Sequence, residues 1–183
     1  KSDSTVYFDW YKNDKQQSDL RRLKLDSFIV KLKSENIAFE IKSRILKAIP
    51  GIKESNLIAN AGIVNSTNGE FRIYFKFNDF ISISIEVSGT SYRRMIHVAG
   101  VDLIMDEVYD LFNDELKWFD FSKISKQDKY KSYKDFLKFG NNTRYHQCKL
   151  SADNTMEEII NYFILDLKYI FGKSDIIISK LTR

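Results

Sequence analysis

Residues 71–98 alternate between apolar and polar side chains, and this pattern constrains the fold more than any other stretch of the chain. Apolar residues take every second position in two runs: Phe71, Ile73, Phe75 and Phe77, then Ile81, Ile83, Ile85 and Val87. Successive side chains of a strand point to opposite faces of a sheet, so each run predicts a strand with one apolar face. We predict that the two strands pair antiparallel and that a third, residues 92–98, completes a meander.

The spacing between the runs predicts the register. A two-residue turn would set Ile81 opposite Lys76 and mix the two faces. A three-residue connection, residues 78–80, keeps apolar residues opposite apolar residues. With residues 88–91 as the second loop, Val87 lies opposite Tyr92.

This register makes two predictions about charged residues. Glu86 falls between Arg72 and Arg93 on the outer face, where exposed ion pairs contribute well under about 1 kcal/mol each. Arg94 falls on the apolar face, beside Ile85. An arginine at that position must either reach water from an edge strand or meet a specific partner.

The segments on either side of the meander carry helical and strand patterns. Apolar spacing predicts helices over residues 20–32, 36–49, 101–116 and 126–139, and a capping box of Thr155 and Glu158 begins another over residues 155–171. Shorter patterns predict strands over residues 5–11, 57–64, 145–150 and 176–178. The helix 155–171 is apolar on most sides, so we expect it to be central to the fold or shared with a second copy of the chain.

Together these elements predict an α+β fold with an antiparallel sheet of four or more strands. Its meander, residues 71–98, lies at the centre, and N-terminal and C-terminal helices pack on the Phe/Ile face. The length of 183 residues, with 43% hydrophobic and 30% charged residues, fits one globular domain over residues 1–183. The chain begins with Lys1 rather than Met, so we also consider it a piece of a larger protein. No apolar run is as long as a membrane span, and a single cysteine fits the cytoplasm.

Three sets of residues are candidates for a catalytic or metal site. The acidic stripe Asp102, Asp106, Asp110 and Asp114 suits a hard cation, but a solvated face neutralised by the following lysines explains it better. The only histidines, His97 and His146, lack zinc spacing with Cys148, which we interpret as an inert thiol. We place His97 on the surface opposite Ser82. Glu86 lacks the nearby lysine of a restriction-type nuclease, so we predict no catalytic residue, metal or cofactor.

Basic residues supply the remaining binding candidates. The segment 126–149 interleaves lysines with aromatic residues, a composition typical of nucleic-acid contacts. The outer sheet face adds a second basic patch. The candidate binding residues are Arg72, Tyr74, Lys76, Arg93, Arg94, His97, Lys129, Lys131 and Lys134.

No constellation of acid, base and nucleophile emerges from these residues. The sequence therefore favours a non-enzymatic binding module, of the adaptor, immunity or chaperone-like kind, with another protein as its partner. The alternative is a nucleic-acid-binding domain that uses residues 126–149 and the outer sheet face. A third hypothesis is a metal-dependent, nuclease-like enzyme that uses the acidic residues.

Overall fold

Five strands follow one another across one antiparallel sheet in the order of the chain. The computed structural model describes residues 19–64, 68–100, 104–124 and 142–181, with side chains from residue 27 onward. The strands are β1 (Leu57–Ile63), β2 (Gly69–Lys76), β3 (Ile81–Ser88), β4 (Ser91–Val98) and β5 (Thr143–Lys149). The helices are α1 (Asp19–Ala48), α2 (Met105–Asp110), α3 (Met156–Phe171) and α4 (Ser174–Leu181). A 3-10 turn, Glu54–Asn56, precedes β1, and a π-helical turn, Leu111–Glu115, continues α2.

The predicted register of the meander is confirmed across both of its hairpins. Phe71 pairs with Val87 and Arg72 with Glu86 across the first hairpin. Glu86 pairs with Arg93 across the second. The connection over residues 78–80 is closed by a hydrogen bond from the Phe77 amide to the Ile81 carbonyl, 3.0 Å long. The alternation of apolar residues thus determined both the faces and the alignment of these strands.

Helices α1 and α3 cover the apolar face of the sheet. Ile41 and Ile45 of α1 are fully buried in the core. Phe163 of α3 lies 5.9 Å from Phe71, between ring centroids, and Phe171 lies 5.8 Å from Phe75. The α+β fold with helices from both ends of the chain on one antiparallel sheet is therefore confirmed.

Two helix predictions need correction. Asp19–Ala48 forms one helix rather than the two predicted over residues 20–49, because no glycine or proline interrupts the chain before Pro50 and Gly51. Gly51 has φ of 99°, a conformation that terminates a helix most easily with glycine. The helix predicted over residues 101–116 is α-helical over Met105–Asp110 but π-helical over its last turn, and residues 101–103 lie outside the described residues.

The strand predicted over residues 176–178 is wrong, since these residues lie in α4. A short apolar run does not separate a strand from a buried helical turn by periodicity alone, and here Ile177 packs into the core. The strands predicted near residues 57–64 and 145–150 are confirmed as β1 and β5. The predicted strand 5–11 and helix 126–139 lie outside the described residues.

The capping box of α3 is confirmed atom by atom. The Glu158 amide donates to Thr155 Oγ1 at 3.2 Å, and the Thr155 amide donates to Glu158 Oε2 at 2.8 Å. Such reciprocal bonds satisfy amides that the first turn of a helix leaves unpaired. None of the helices, over the part of the chain that the structure describes, is long and apolar enough to cross a bilayer.

Candidate functional site

Arg94 is the charged residue that the sequence places on the apolar face, and there it meets a specific partner. β4 is not an edge strand, because β5 pairs with it on the far side. Nε and Nη2 of Arg94 donate to the two carboxylate oxygens of Asp166 on α3, at 2.7 and 2.6 Å. Arg94 is only 4% exposed and Asp166 8%. The two side chains form a buried bidentate ion pair between sheet and helix.

Further hydrogen bonds complete this pair. Nη1 of Arg94 donates to the carbonyl oxygens of Trp118 and Asp120, at 2.6 and 2.7 Å. The Tyr92 hydroxyl donates to Asp166 at 2.7 Å. Burial opposes the charge of Arg94, but Asp166 raises its pKa overall. Burial and the neighbouring Asp166 charge raise the pKa of Tyr92 well above its usual value, so the phenol stays a donor. The side chains of Arg94, Asp166 and Tyr92 are therefore structural partners of one another rather than a free acid or base.

A groove opens above this ion pair, between α3 and residues 117–124. Its volume is about 510 Å³, within the range of ligand-binding clefts. Aromatic and aliphatic residues line it: Trp118, Ile124, Tyr162, Leu165 and Tyr169. Three exposed lysines lie at its rim: Lys117, Lys123 and Lys168. We call this site the α3 groove; it combines apolar walls with a basic rim.

The rim of the α3 groove depends on an unusual end to α2. The Leu116 amide donates to the Leu111 carbonyl at 2.9 Å and closes the π-helical turn, and the Trp118 amide then donates to the Phe112 carbonyl at 2.8 Å. Lys117 lies inside this closure with φ of 51°, the left-handed conformation that favours glycine. This turn exposes the Lys117 side chain and directs the Trp118 carbonyl to Arg94. Both π-helical turns and strained residues are frequent at functional sites.

Trp118 adds a further irregularity to the groove. Its side chain is 2% exposed, and its indole N–H has no acceptor among the described residues. An unsatisfied buried donor is uncommon and costs about 1–3 kcal/mol.

The outer face of the sheet differs from the prediction in its burial. Glu86 contacts Arg72 and Arg93 as predicted, the latter at 2.8 Å between Oε1 and Nη1. However, Glu86 is 0% exposed, while the side chains of Arg72 and Arg93 are 25% and 23% exposed. The expectation that these ion pairs are exposed is therefore wrong. Since one buried carboxylate lies between the two guanidinium groups, it offsets part of the positive charge that a nucleic acid would meet on this face.

His97 lies on the outer face opposite Ser82, as predicted, but it is partly buried there. Its ring nitrogens lie 2.7 Å from Ser84 Oγ and 3.0 Å from Thr143 Oγ1. Burial, together with the nearby Arg72, lowers the pKa of His97 to about 4, so the ring is neutral at physiological pH. Tyr74 lies beside it, at 5.5 Å between ring centroids, and Lys76 is exposed at the end of β2. This face holds all the residues predicted for it, and Arg94 lies on the opposite, apolar face, as predicted.

The other candidates do not assemble into a site. Asp106, Asp110 and Asp114 are exposed, and no group of three metal-ligating side chains occurs within the described residues. His146 is buried against Phe119 and lies 2.8 Å from the Tyr109 hydroxyl. Burial lowers the pKa of His146 to about 4 and raises the pKa of Cys148 to about 11. Asp102, Lys129, Lys131 and Lys134 lie outside the described residues.

Sequence reasoning missed most of the α3 groove. Its residues come from two segments that are distant in the chain, and neither segment carries a recognisable motif. The one signal was Arg94, a charged residue at an apolar position of the sheet. Comparisons with models of known protein families, with characterised proteins and with solved structures find no match to this chain.

Proposed function

We propose that the chain is a non-enzymatic protein-binding module whose α3 groove holds an acidic segment of its partner. The observation that carries this proposal is the pairing of apolar walls with three exposed lysines at one rim. Four basic and two acidic side chains line the groove, and one acid, Asp166, already pairs with Arg94. The excess positive charge favours an acidic partner, through faster association and correct orientation.

The apolar walls define the rest of the partner. Leu165 and Tyr169 lie one turn apart on α3 and are 62% and 46% exposed. Exposed large apolar side chains beside a pocket are typical of protein interfaces, where aromatic or aliphatic anchors supply most of the affinity. We therefore propose a segment that places an aromatic or aliphatic anchor between acidic residues.

Selection from a random peptide library tests this proposal. We expect the enriched peptides to carry two or more acidic residues next to a large apolar residue. The triple variant Lys117→Glu, Lys123→Glu, Lys168→Glu should weaken their binding by roughly tenfold or more, since it reverses the charge of the rim.

The control is a second triple variant with the same change in net charge. Lys33, Lys76 and Lys149 are exposed and lie outside the groove. Their replacement by glutamate should leave peptide binding within about twofold of wild type. Equal losses in both triple variants, or selection of peptides without acidic residues, would refute the groove as the binding site. Tight binding of oligonucleotides at physiological salt would favour the nucleic-acid alternative instead.

A further inference from the structure

Within the described residues, the edge of the sheet formed by β1 lacks the features that usually keep sheet edges apart. Over the described part of the chain, β1 pairs with β2 alone. Residues 57–64 contain no charged residue and no proline. Ile58, Ile63 and Val64 are 39%, 41% and 49% exposed. Edge strands are normally protected by charges, prolines or coverage, so an edge of this kind is suited to pairing with another strand.

Helix α1 extends this apolar edge into the layer above the sheet. Arg44 points toward α3, where it contacts Glu157 at 2.5 Å. At about 100° per residue, Leu32 and Phe39 lie on a flank roughly 120–140° from Arg44. Leu32 is 39% exposed and Phe39 61%. The flank of α1 turned away from α3 therefore carries these two apolar side chains beside the exposed ion pair of Lys31 and Glu35.

Helix α1 runs along strand β1, in the layer above it. Gly69, which pairs with Ile63, has Ser34 of α1 packed against it. Near the other end of β1, Lys42 contacts Glu54 at 3.2 Å, so α1 runs antiparallel to β1. Because α1 contacts both β1 and β2, its axis lies over the space between them, roughly half a strand spacing inside the edge.

We propose that this edge binds a second copy of the chain, with the two β1 strands antiparallel about a two-fold axis at Asn60. Leu57 then lies opposite the other copy's Ile63, Ala59 opposite its Ala61, and Asn60 opposite its Asn60. These strand residues are all uncharged, so the pairing of the two strands buries no charged side chain of β1. An antiparallel pair of this kind is self-complementary, as a two-fold interface requires.

The distance between the helices favours a second copy over an isolated peptide strand. Paired β1 strands lie about 4.8 Å apart, so the two α1 axes come to about 10 Å from each other. That is the distance at which helices pack. Each α1 helix then covers the exposed Leu32 and Phe39 of the other. A lone strand would pair with β1 but leave these side chains exposed.

Sedimentation velocity over a concentration series, with charge variants at the axis, tests this proposal. Asn60 is exposed, so neither Asn60→Lys nor Asn60→Asp should unfold the monomer. Each variant alone sets like charges against each other at the axis and should weaken the dimer by roughly tenfold or more. A mixture of the two variants sets opposite charges together and should restore dimers. Only a register in which Asn60 meets Asn60 predicts this restoration.

Two further variants separate this edge from the rest of the surface. Phe39→Glu should also weaken the dimer, because it places a charge on the apolar flank of α1. Phe80→Lys is the control, since Phe80 is 63% exposed but lies in the loop between β2 and β3. A wild-type chain that stays monomeric at about 100 μM would overturn the proposal, as it excludes a dimer of useful affinity. Dimers that persist unchanged in both Asn60 variants would place the interface elsewhere and overturn it equally.

Discussion

Arg94 and Asp166 form a bidentate ion pair in the core, although 72 positions separate them in the chain. The pair joins β4 to α3 and holds the carbonyls of the Trp118 segment through the same guanidinium group. It therefore fixes the floor of the α3 groove. The shape of the groove thus depends on the Arg94–Asp166 ion pair, whose own hydrogen bonds are all made to other groups of the chain.

Removal of one partner of this pair should destabilise the chain strongly. Asp166→Ala leaves Arg94 buried without its counter-charge, and we expect the free energy of unfolding to fall by about 3–5 kcal/mol. Urea denaturation measures this change. The double variant Arg94→Met, Asp166→Leu removes both charges and should recover part of the loss. A double variant less stable than Asp166→Ala would show that the carbonyl contacts of Arg94, rather than its charge pairing, dominate.

Glu86 should contribute far more to stability than a surface glutamate. Glu86→Ala leaves two close guanidinium groups without the buried carboxylate between them. We expect a loss of about 3–5 kcal/mol in the free energy of unfolding, measured by denaturant titration. The control is Glu35→Ala, which removes an exposed ion pair with Lys31 and should change stability by less than about 1 kcal/mol. Similar small losses in both variants would mean that the Glu86 pairs are weak despite their burial.

The difference between prediction and finding at Glu86 has a physical reason. Alternation along a strand assigns each side chain to a face, and this was sufficient to predict that Arg72, Glu86 and Arg93 are neighbours. Burial on the outer face is decided by the side chains that surround each position, which alternation does not describe. His97 lies on the predicted face, but its burial there was missed for the same reason.

The α3 groove illustrates a second limit of the sequence. The capping box of Thr155 and Glu158 is local, so four consecutive residues were enough to predict it. Lys117 and Lys168 meet at one rim only because α3 crosses the sheet above β4, a tertiary contact with no local signature. The π-helical turn before Lys117 likewise cannot be read from the apolar pattern, since both helix types bury Leu111 and Phe112.

Stability should decline between neutral and acidic pH because of the buried histidines. The pKa of His146 is about 4 in the folded state and about 6.5 in an unfolded chain. The unfolded chain thus binds the proton more tightly, so this stability is complete above pH 6.5 and is lost as the pH falls toward 4. The expected loss is about 3 kcal/mol for His146, and less for the partly exposed His97.

A variant that cannot be protonated isolates this effect. His146→Phe retains an aromatic ring against Phe119 but has no proton to gain. Thermal melts at pH 7.5 and 4.5 should show wild type at least as stable as the variant at the higher pH, and less stable at the lower. Parallel curves for the two proteins would show that His146 does not contribute to the acid sensitivity.

Lys117→Gly should separate the stability of the chain from its binding. A non-glycine residue in the left-handed conformation destabilises the folded chain by roughly 1–2 kcal/mol. Glycine removes this strain, but its greater freedom in the unfolded chain offsets part of the gain in stability. We therefore expect the variant to be more stable by about 0.5–1 kcal/mol, measured by urea denaturation. Acidic peptides selected on the wild-type groove should nevertheless bind the variant more weakly, because one rim charge is gone. Lys123→Gly, which removes another rim lysine, is the matched control and should weaken binding without raising stability. If Lys117→Gly bound these peptides as well as wild type, the strained lysine would have no part in the groove's function.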